Sequence, residues 1–325
     1  MQRKISMNNH GEKTVREAYD LFIRSRQVMN VSDDTIRFYN VSCKWFLEYV
    51  GENELCKNIT GDTVTSYMFH LKETKPNLSS KSFSTYIRAL RAVLNYCMEN
   101  GFTEKFTIKL PKADETIKEV YTDYEIQCLV RKPNIRECSF SEFRSWALVC
   151  YFLATGNRLS SAANIQIKDV DFAHEEILIK KTKNKKQQIM PMSKELKSVL
   201  QEYLQYRKGE EDDYLFCNAN GQQLTRYAMV SCIQTYNRSR GIEKTSIHLF
   251  RHTFAKNWIM NGGDIFRLQK ILGHSTLDMV KNYVAIYGGD LKRDYDKFSV
   301  LDQARQAEEE ARGERIKMKR KTSKN

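Results

Sequence analysis

His248, Arg251, His274 and Tyr283 supply the groups that phosphoryl transfer through a tyrosine requires, at a spacing that places them in one segment. They occur as His248-Leu249-Phe250-Arg251-His252, then Leu272-Gly273-His274-Ser275, with Tyr283 nine residues after His274. Upstream stand Thr155-Gly156-Asn157-Arg158 and a lysine-rich turn around Lys183. Breaking and rejoining a phosphodiester without metal or ATP needs a side-chain oxygen as nucleophile, cations for the nonbridging oxygens and a proton for the leaving oxygen. Each need has a candidate in this sequence.

Tyr283 is the candidate nucleophile, since a phenol can form a phosphotyrosyl ester that stores the bond energy and keeps the reaction reversible. It is one of 17 tyrosines, and Tyr287, one helical turn later, is the rival within the same segment. Arg158 and Arg251 are candidate phosphate clamps, because a guanidinium binds nonbridging oxygens bidentately and stays charged. His248 and His274 can each shuttle a proton or donate a hydrogen bond to the phosphorane. His252 brings the local histidines to three of the chain's six, but no Cys or carboxylate set joins them at metal-ligand spacing, so no metal site is expected. Lys183 is the candidate general acid. The surrounding Lys180, Lys181, Lys185 and Lys186 leave two other readings open, a solvated basic hairpin and a phosphate contact without catalysis.

These residues need a scaffold larger than one small core, and 325 residues suggest two domains. Thr14 to Glu17 reads as a capping box opening a helix with Val15, Ala18, Tyr19, Phe22 and Ile23 on one face. Ser32, Thr60 and Ser79 or Ser80 are N-cap candidates for three more helices, with Gly51 and Gly101 as stops. Residues 14–105 therefore read as a helical module behind an extension, 1–13, and before a linker, 106–120. A second domain is expected over 121–300. In it, helices are expected at Tyr121 to Val130 and at the nearly continuously apolar Phe140 to Ala154, then strands at Val170 to Phe172, Glu176 to Ile179 and Gln188 to Met192. A helix over Ser193 to Tyr206, a strand at Tyr214 to Cys217 and helices through Tyr287 complete it, ahead of a charged, basic tail over 301–325. The fold class is thus mainly α with a small antiparallel β-sheet.

The 53 Lys and Arg against 40 Asp and Glu, a formal net charge of +13, favour a polyanionic partner, nucleic acid before membrane. No apolar run reaches the length of a bilayer span and residues 1–13 lack a signal-peptide core, so a cytoplasmic location is expected. The eight cysteines contain no Cys-x-x-Cys pair and read as reduced core thiols.

At the quoted motifs the chain resembles the tyrosine recombinase (phage integrase) family. That family's catalytic domain is marked by Thr-Gly-x-Arg, a hairpin lysine, His-x-x-Arg, Leu-Gly-His and a tyrosine nine residues beyond. Thr155 to Arg158, Lys183 eight residues before Pro191, His248 with Arg251, Leu272 to His274, and Tyr283 match these in order. The helical module resembles the family's core-binding (SAM-like) domain, so the resemblance covers roughly residues 14–300. It implies a two-domain, C-shaped clamp around duplex DNA and cleavage of one strand at a time through a 3′-phosphotyrosyl intermediate. It further implies that the free 5′-hydroxyl attacks a partner duplex, and that a homotetramer on two recombination sites passes through a Holliday junction. It implies no cofactor, and an accessory directionality factor as a further partner. The segment with Leu291, Tyr295, Phe298, Val300 and Leu301, after Gly288 and Gly289, resembles the tail that docks on a neighbouring subunit; packing within the same subunit is the alternative. The early start of the helical module leaves no room for an arm-binding domain, so simple core sites of Xer or integron type are expected.

One position departs from the family pattern. Three residues after Arg158 the family usually carries Glu or Asp, and this chain carries Ser161. Because that carboxylate supports the chemistry without performing it, activity is expected to survive with a looser hold on Arg158 or His248. Integration, excision, inversion and resolution all fit a recombinase. The nearest alternative is a type IB topoisomerase, which uses a similar Arg, Lys, His and Tyr set; a noncatalytic DNA-binding regulator on a recombinase fold is the alternative from another class. Site-dependent cleavage separates the first two, and loss of a catalytic residue marks the third.

Overall fold

A computed structural model describes residues 12–111, 119–180, 187–273, 276–277, 281, 299–302 and 304–305. Lys183, His274, Tyr283, Tyr287 and the segment from Gly288 to Phe298 lie outside the described residues. The chain forms two compact units, Met1–Thr116 and Ile117–Asn325.

In the first unit four helices are each opened by the hydroxyl side chain that the sequence offers. They are α1 (Val15–Val28), α2 (Asp33–Val50), α3 (Gly61–Thr74) and α4 (Ser80–Glu99). Thr14, Ser32, Thr60 and Ser79 accept from the amides of Glu17, Thr35, Thr63 and Ser82, and the Glu17 carboxylate closes the capping box on the Thr14 amide. Each such cap stabilises its helix by about 1 kcal/mol. The apolar faces of these helices meet in one core around Phe22, Phe46, Tyr67, Ile87 and Leu90.

The second unit is built on α6 (Phe140–Thr155), a helix buried on nearly every side. Around it lie α5 (Asp123–Val130), α8 (Lys194–Arg207), α9 (Arg226–Ser239) and α10 (Ile247–Met260), with α7 (Leu159–Ala162) directly after its end and α11 (Ile265–Leu272) packed on α10. Phe250 on α10 stacks on Phe152 at 6.0 Å and meets Tyr121 at 4.7 Å between ring centroids. Burying Phe250 stabilises the α6–α10 contact by about 2–3 kcal/mol. Its two chain neighbours in the motif, Leu249 and Arg251, are buried with it.

Strands β1 (Val170–Asp171), β2 (Glu176–Ile179) and β3 (Gln188–Pro191) form an antiparallel sheet in sequence order. Ile177, Ile179 and Met190 bury their side chains in the core, and Pro191 sits on edge strand β3, where its missing N–H is harmless. The fold class is the one expected from sequence, helices with one small antiparallel sheet. Two local expectations differ. Helix α5 begins at Asp123 and not Tyr121, because Thr122 is its N-cap while the Tyr121 amide is drawn off to the Thr253 hydroxyl at 2.9 Å. Tyr214 to Cys217 is no continuous strand: Tyr214 pairs with Gln166 and Cys217 with Gln223, two isolated bridges facing different partners. Among the described residues no helix is long and apolar enough to cross a membrane.

Candidate active site

The end of α6 sets the first arginine. Gly156 caps the helix in the left-handed region with φ of 60°, its amide bonded to the Phe152 carbonyl. Thr155 donates its hydroxyl to the Tyr151 carbonyl at 2.7 Å and accepts from the Asn157 amide at 3.3 Å. The Asn157 amide group donates to the buried Tyr151 hydroxyl at 2.6 Å. These bonds fix the path of the turn, which delivers Arg158 half-buried at the N-cap of α7.

Gly156 is required by space as well as by dihedral. A β-carbon there would lie 2.7 Å from Phe254 Cδ1 and 3.1 Å from Leu272 Cδ2. Gly156→Ala is expected to lower stability by about 2–4 kcal/mol, from the left-handed conformation and the overpacking together. A urea midpoint unchanged from wild type would show that this turn has room to relax.

Helix α10 carries the second arginine. His248 stands exposed in its first turn, and Arg251 lies one turn further in, only 6% exposed. Arg251 Nη1 donates to the Gly156 carbonyl at 3.0 Å and its Nη2 to the Leu272 carbonyl at 2.6 Å. Arg158 Nη2 reaches the next carbonyl, Gly273, at 3.4 Å. Both guanidiniums therefore converge on successive carbonyls at the C-terminal end of α11, immediately before His274.

The physics of a helix end explains why they can meet. The last carbonyls of a helix have no intrahelical donors and carry the negative end of its dipole, so cations are stabilised there. Gly273, at φ of 59°, ends α11 in a left-handed cap and opens its carbonyl side to these donors. Two guanidiniums on neighbouring carbonyls can share an anion such as phosphate, which each can bind bidentately. The site is thus a cationic seat whose two arginines are held from behind.

The remaining tyrosines divide by environment. Burial pushes the hydroxyls of Tyr19, Tyr67, Tyr121, Tyr151, Tyr203 and Tyr236 well above the usual phenol range. Tyr121 accepts from Asn237 at 2.9 Å and donates to the Lys244 carbonyl at 3.1 Å. A phenol held neutral and enclosed in this way is a packing group and no nucleophile.

Two connections around the site have no counterpart in the motifs. The loop that contains Lys183 leaves β2 and returns at β3, and both ends are tied down. Lys180 is paired with the buried Asp169 carboxylate. Gln188 donates both hydrogens of its amide group, to the carbonyls of Lys270 at 2.8 Å and Ile271 at 2.7 Å. Their partners lie 82 and 83 residues away in sequence, and neither spacing nor composition marks them. Ser161 is buried in α7, with its amide bonded to the Arg158 carbonyl at 3.0 Å.

Comparison with known proteins places this geometry in a family. Residues 120–288 match the model of the phage integrase family, and residues 14–114 match that of the phage integrase SAM-like domain. The chain belongs to the phage integrase family. It is an enzyme of the tyrosine recombinase type, as its motifs implied. Among its relatives is "Tyrosine recombinase XerD" of Halalkalibacterium halodurans, 24% identical over 84% of this chain and 94% of the relative. "Tyrosine recombinase XerC" of Chlamydia caviae is 28% identical over 80% and 91%. In fold it is similar to the Tn1549 transposon integrase solved in complex with a circular intermediate DNA, with a TM-score of 0.68 at 22% identity over 83% of this chain and 94% of that one.

Proposed function

We propose that this phage integrase family member is a site-specific recombinase that cleaves and rejoins duplex DNA through a 3′-phosphotyrosyl ester on Tyr283. The observation that carries the reading is the convergence of Arg158 and Arg251 on the Leu272 and Gly273 carbonyls, beside the residue that the motif assigns to a phosphate contact. In the proposed step the Tyr283 oxygen attacks phosphorus, the bond from phosphorus to the 5′ oxygen breaks, and Lys183 supplies the proton for that oxygen. Arg158 and Arg251 hold the nonbridging oxygens, with His248 and His274 donating hydrogen bonds or moving the phenol proton. A 5′-hydroxyl from a partner duplex reverses the step, so the bond energy is conserved and no cofactor takes part.

The test is covalent trapping on nicked suicide duplexes that carry candidate recombination sites, in which the cleaved strand diffuses away and the ester accumulates. A protein–DNA adduct that survives denaturation supports the reading. Binding to a site without any adduct there would favour a noncatalytic DNA-binding role.

Residues 14–105 serve in this reading as the core-binding domain and 121–300 as the catalytic domain, acting in the cytoplasm as a homotetramer on two sites. An accessory directionality factor is a further partner in the same reading. Exchange of tails between subunits is supported by an apolar groove of about 790 Å3 in the second unit, lined by Ile126, Val130, Trp146, Leu153, Val199 and Trp258. Val300 and Leu301 in the tail are exposed and suited to such a groove. Truncation after Gly289 is expected to abolish cooperative assembly on paired sites while single-site binding stays within a few-fold. Gel mobility at increasing protein concentration reads both, and cooperative complexes persisting in the truncated protein would rule the exchange out.

A further inference from the structure

We propose that Asn157 is a positioning residue for Arg158, anchored on the buried hydroxyl of Tyr151, and that this tie sets the guanidinium toward the phosphate. This rests on the reading of Arg158 as a phosphate clamp given above.

The two arginines of the seat are carried differently. Arg251 rides buried on a helix of 14 residues, whereas Arg158 is the N-cap of the four-residue α7, in extended backbone at φ of −79° and ψ of 149°. The turn that leaves α6 therefore sets where the Arg158 side chain begins. Asn157 stands in that turn, at the position that the Thr-Gly-x-Arg pattern leaves open, and it is only 6% exposed. Its side-chain amide donates to the Tyr151 hydroxyl at 2.6 Å, and its backbone amide to the Thr155 hydroxyl at 3.3 Å. Thr155 in turn donates to the Tyr151 carbonyl at 2.7 Å. Both polar ends of Tyr151 thus hold the turn, the carbonyl through Thr155 and the phenol through Asn157. Tyr151 itself is fixed by packing, fully enclosed and edge-on to Phe216 at 5.5 Å between ring centroids. Burial pushes its phenol well above the usual range, so the hydroxyl stays neutral and in place. With Asn157 drawn into the core, the extended residue after it sends its side chain the other way, where Arg158 Nη2 reaches the Gly273 carbonyl at 3.4 Å. Asn157 takes no part in the proposed chemistry, so it acts through the arginine that it places.

Such a role has a signature that loss of folding lacks. A cationic clamp matters most when the nonbridging oxygens carry charge. Replacing one of those oxygens by a methyl group gives a neutral methylphosphonate, on which the clamp has less charge to balance. The measurement is the single-turnover cleavage rate on a nicked duplex carrying the sequence at which wild type forms its adduct, made with phosphate and with methylphosphonate at the scissile position. Each variant is compared with wild type on the same substrate. Arg158→Ala is expected to lose on the order of 10²–10³-fold with phosphate and about tenfold at most with methylphosphonate. Tyr151→Phe, and Asn157→Leu with its similar shape, are each expected to lose on the order of tenfold to 10²-fold with phosphate and no more than a few-fold with methylphosphonate.

The double variant Tyr151→Phe/Asn157→Leu separates positioning from stability. Each single variant leaves a buried polar group without its partner and lowers the urea midpoint, while the double variant removes both groups and regains most of that midpoint. Cleavage of the phosphate substrate is expected to stay as low in the double variant as in the single ones, because the turn is still untied from the phenol. Should a single variant fail to fold, the double variant carries the comparison of the two substrates. Activity that returns with the urea midpoint, equal losses on the two substrates, or wild-type rates with phosphate overturn the proposal. If Arg158→Ala itself loses equally on the two substrates, the clamp reading fails and this proposal with it, and that outcome is distinguishable because it is read on Arg158 alone.

Discussion

Arg251→Lys is expected to reduce the strand-cleavage rate by about 10³-fold while DNA binding changes only a few-fold. A transition-state donor of this kind contributes on the order of 10²–10³ in rate when removed, and here the substitution disturbs a second donor as well. The guanidinium reaches two carbonyls on different elements, Gly156 at the end of α6 and Leu272 at the end of α11, from a position almost closed to solvent. Lysine offers a compact ammonium with no planar fork and cannot span both carbonyls while still facing a phosphate. Arg251→Ala is expected to be worse for folding, because it leaves the Gly156 and Leu272 carbonyls buried without these donors, at about 1–3 kcal/mol each. Adduct formation on the nicked duplex, with affinity measured separately on an intact one, checks both parts. If Arg251→Lys cleaves within tenfold of wild type, the guanidinium is a structural tie between helices and not a phosphate clamp.

The double tie also shows where sequence reasoning stops. Caps were legible because they are local: Thr14 with Glu17, Ser32 with Thr35 and Ser79 with Ser82 are three residues apart, and the hydroxyl before an apolar run states its own role. That α10 is helical was legible too, as part of the helical stretch expected through Tyr287. The support of the site was not. Gln188 meets α11 across more than eighty residues, and nothing in Gln188-Ile189-Met190-Pro191 separates an anchoring amide from a solvated one. Arg144 is similar. The sequence of α6 reads as nearly continuous apolar surface, yet this helix buries Arg144, whose guanidinium donates to the Cys217 carbonyl at 2.9 Å and to the Cys232 sulfur at 2.9 Å. Buried polar groups satisfied by distant backbone leave no periodic trace, because their partners are set by tertiary packing and not by spacing. The strand expected at Tyr214 to Cys217 failed for the related reason that an extended apolar run needs a continuous neighbour, and here Gln166 and Gln223 each supply one residue of pairing.

Tyr283→Phe is expected to abolish the covalent adduct altogether, a loss of at least about 10⁴-fold, because removing the nucleophilic oxygen leaves no alternative route to the ester. The substitution keeps the ring, so DNA affinity and assembly on paired sites should remain near wild type, and a mixture with wild-type subunits should still form complexes. The competing nucleophile is Tyr287, one helical turn away in sequence, and the buried tyrosines offer no third choice: Tyr121, Tyr151, Tyr203 and Tyr236 have enclosed hydroxyls that burial holds in the neutral form. The motif spacing favours Tyr283, which stands nine residues after His274. An adduct that persists in Tyr283→Phe and vanishes in Tyr287→Phe would move the nucleophile by one turn and leave the arginine seat intact. An adduct lost in neither variant would mean that the oxygen attacking phosphorus belongs to neither residue, and the phosphotyrosyl step would then have to be sought among the exposed tyrosines such as Tyr124 and Tyr227.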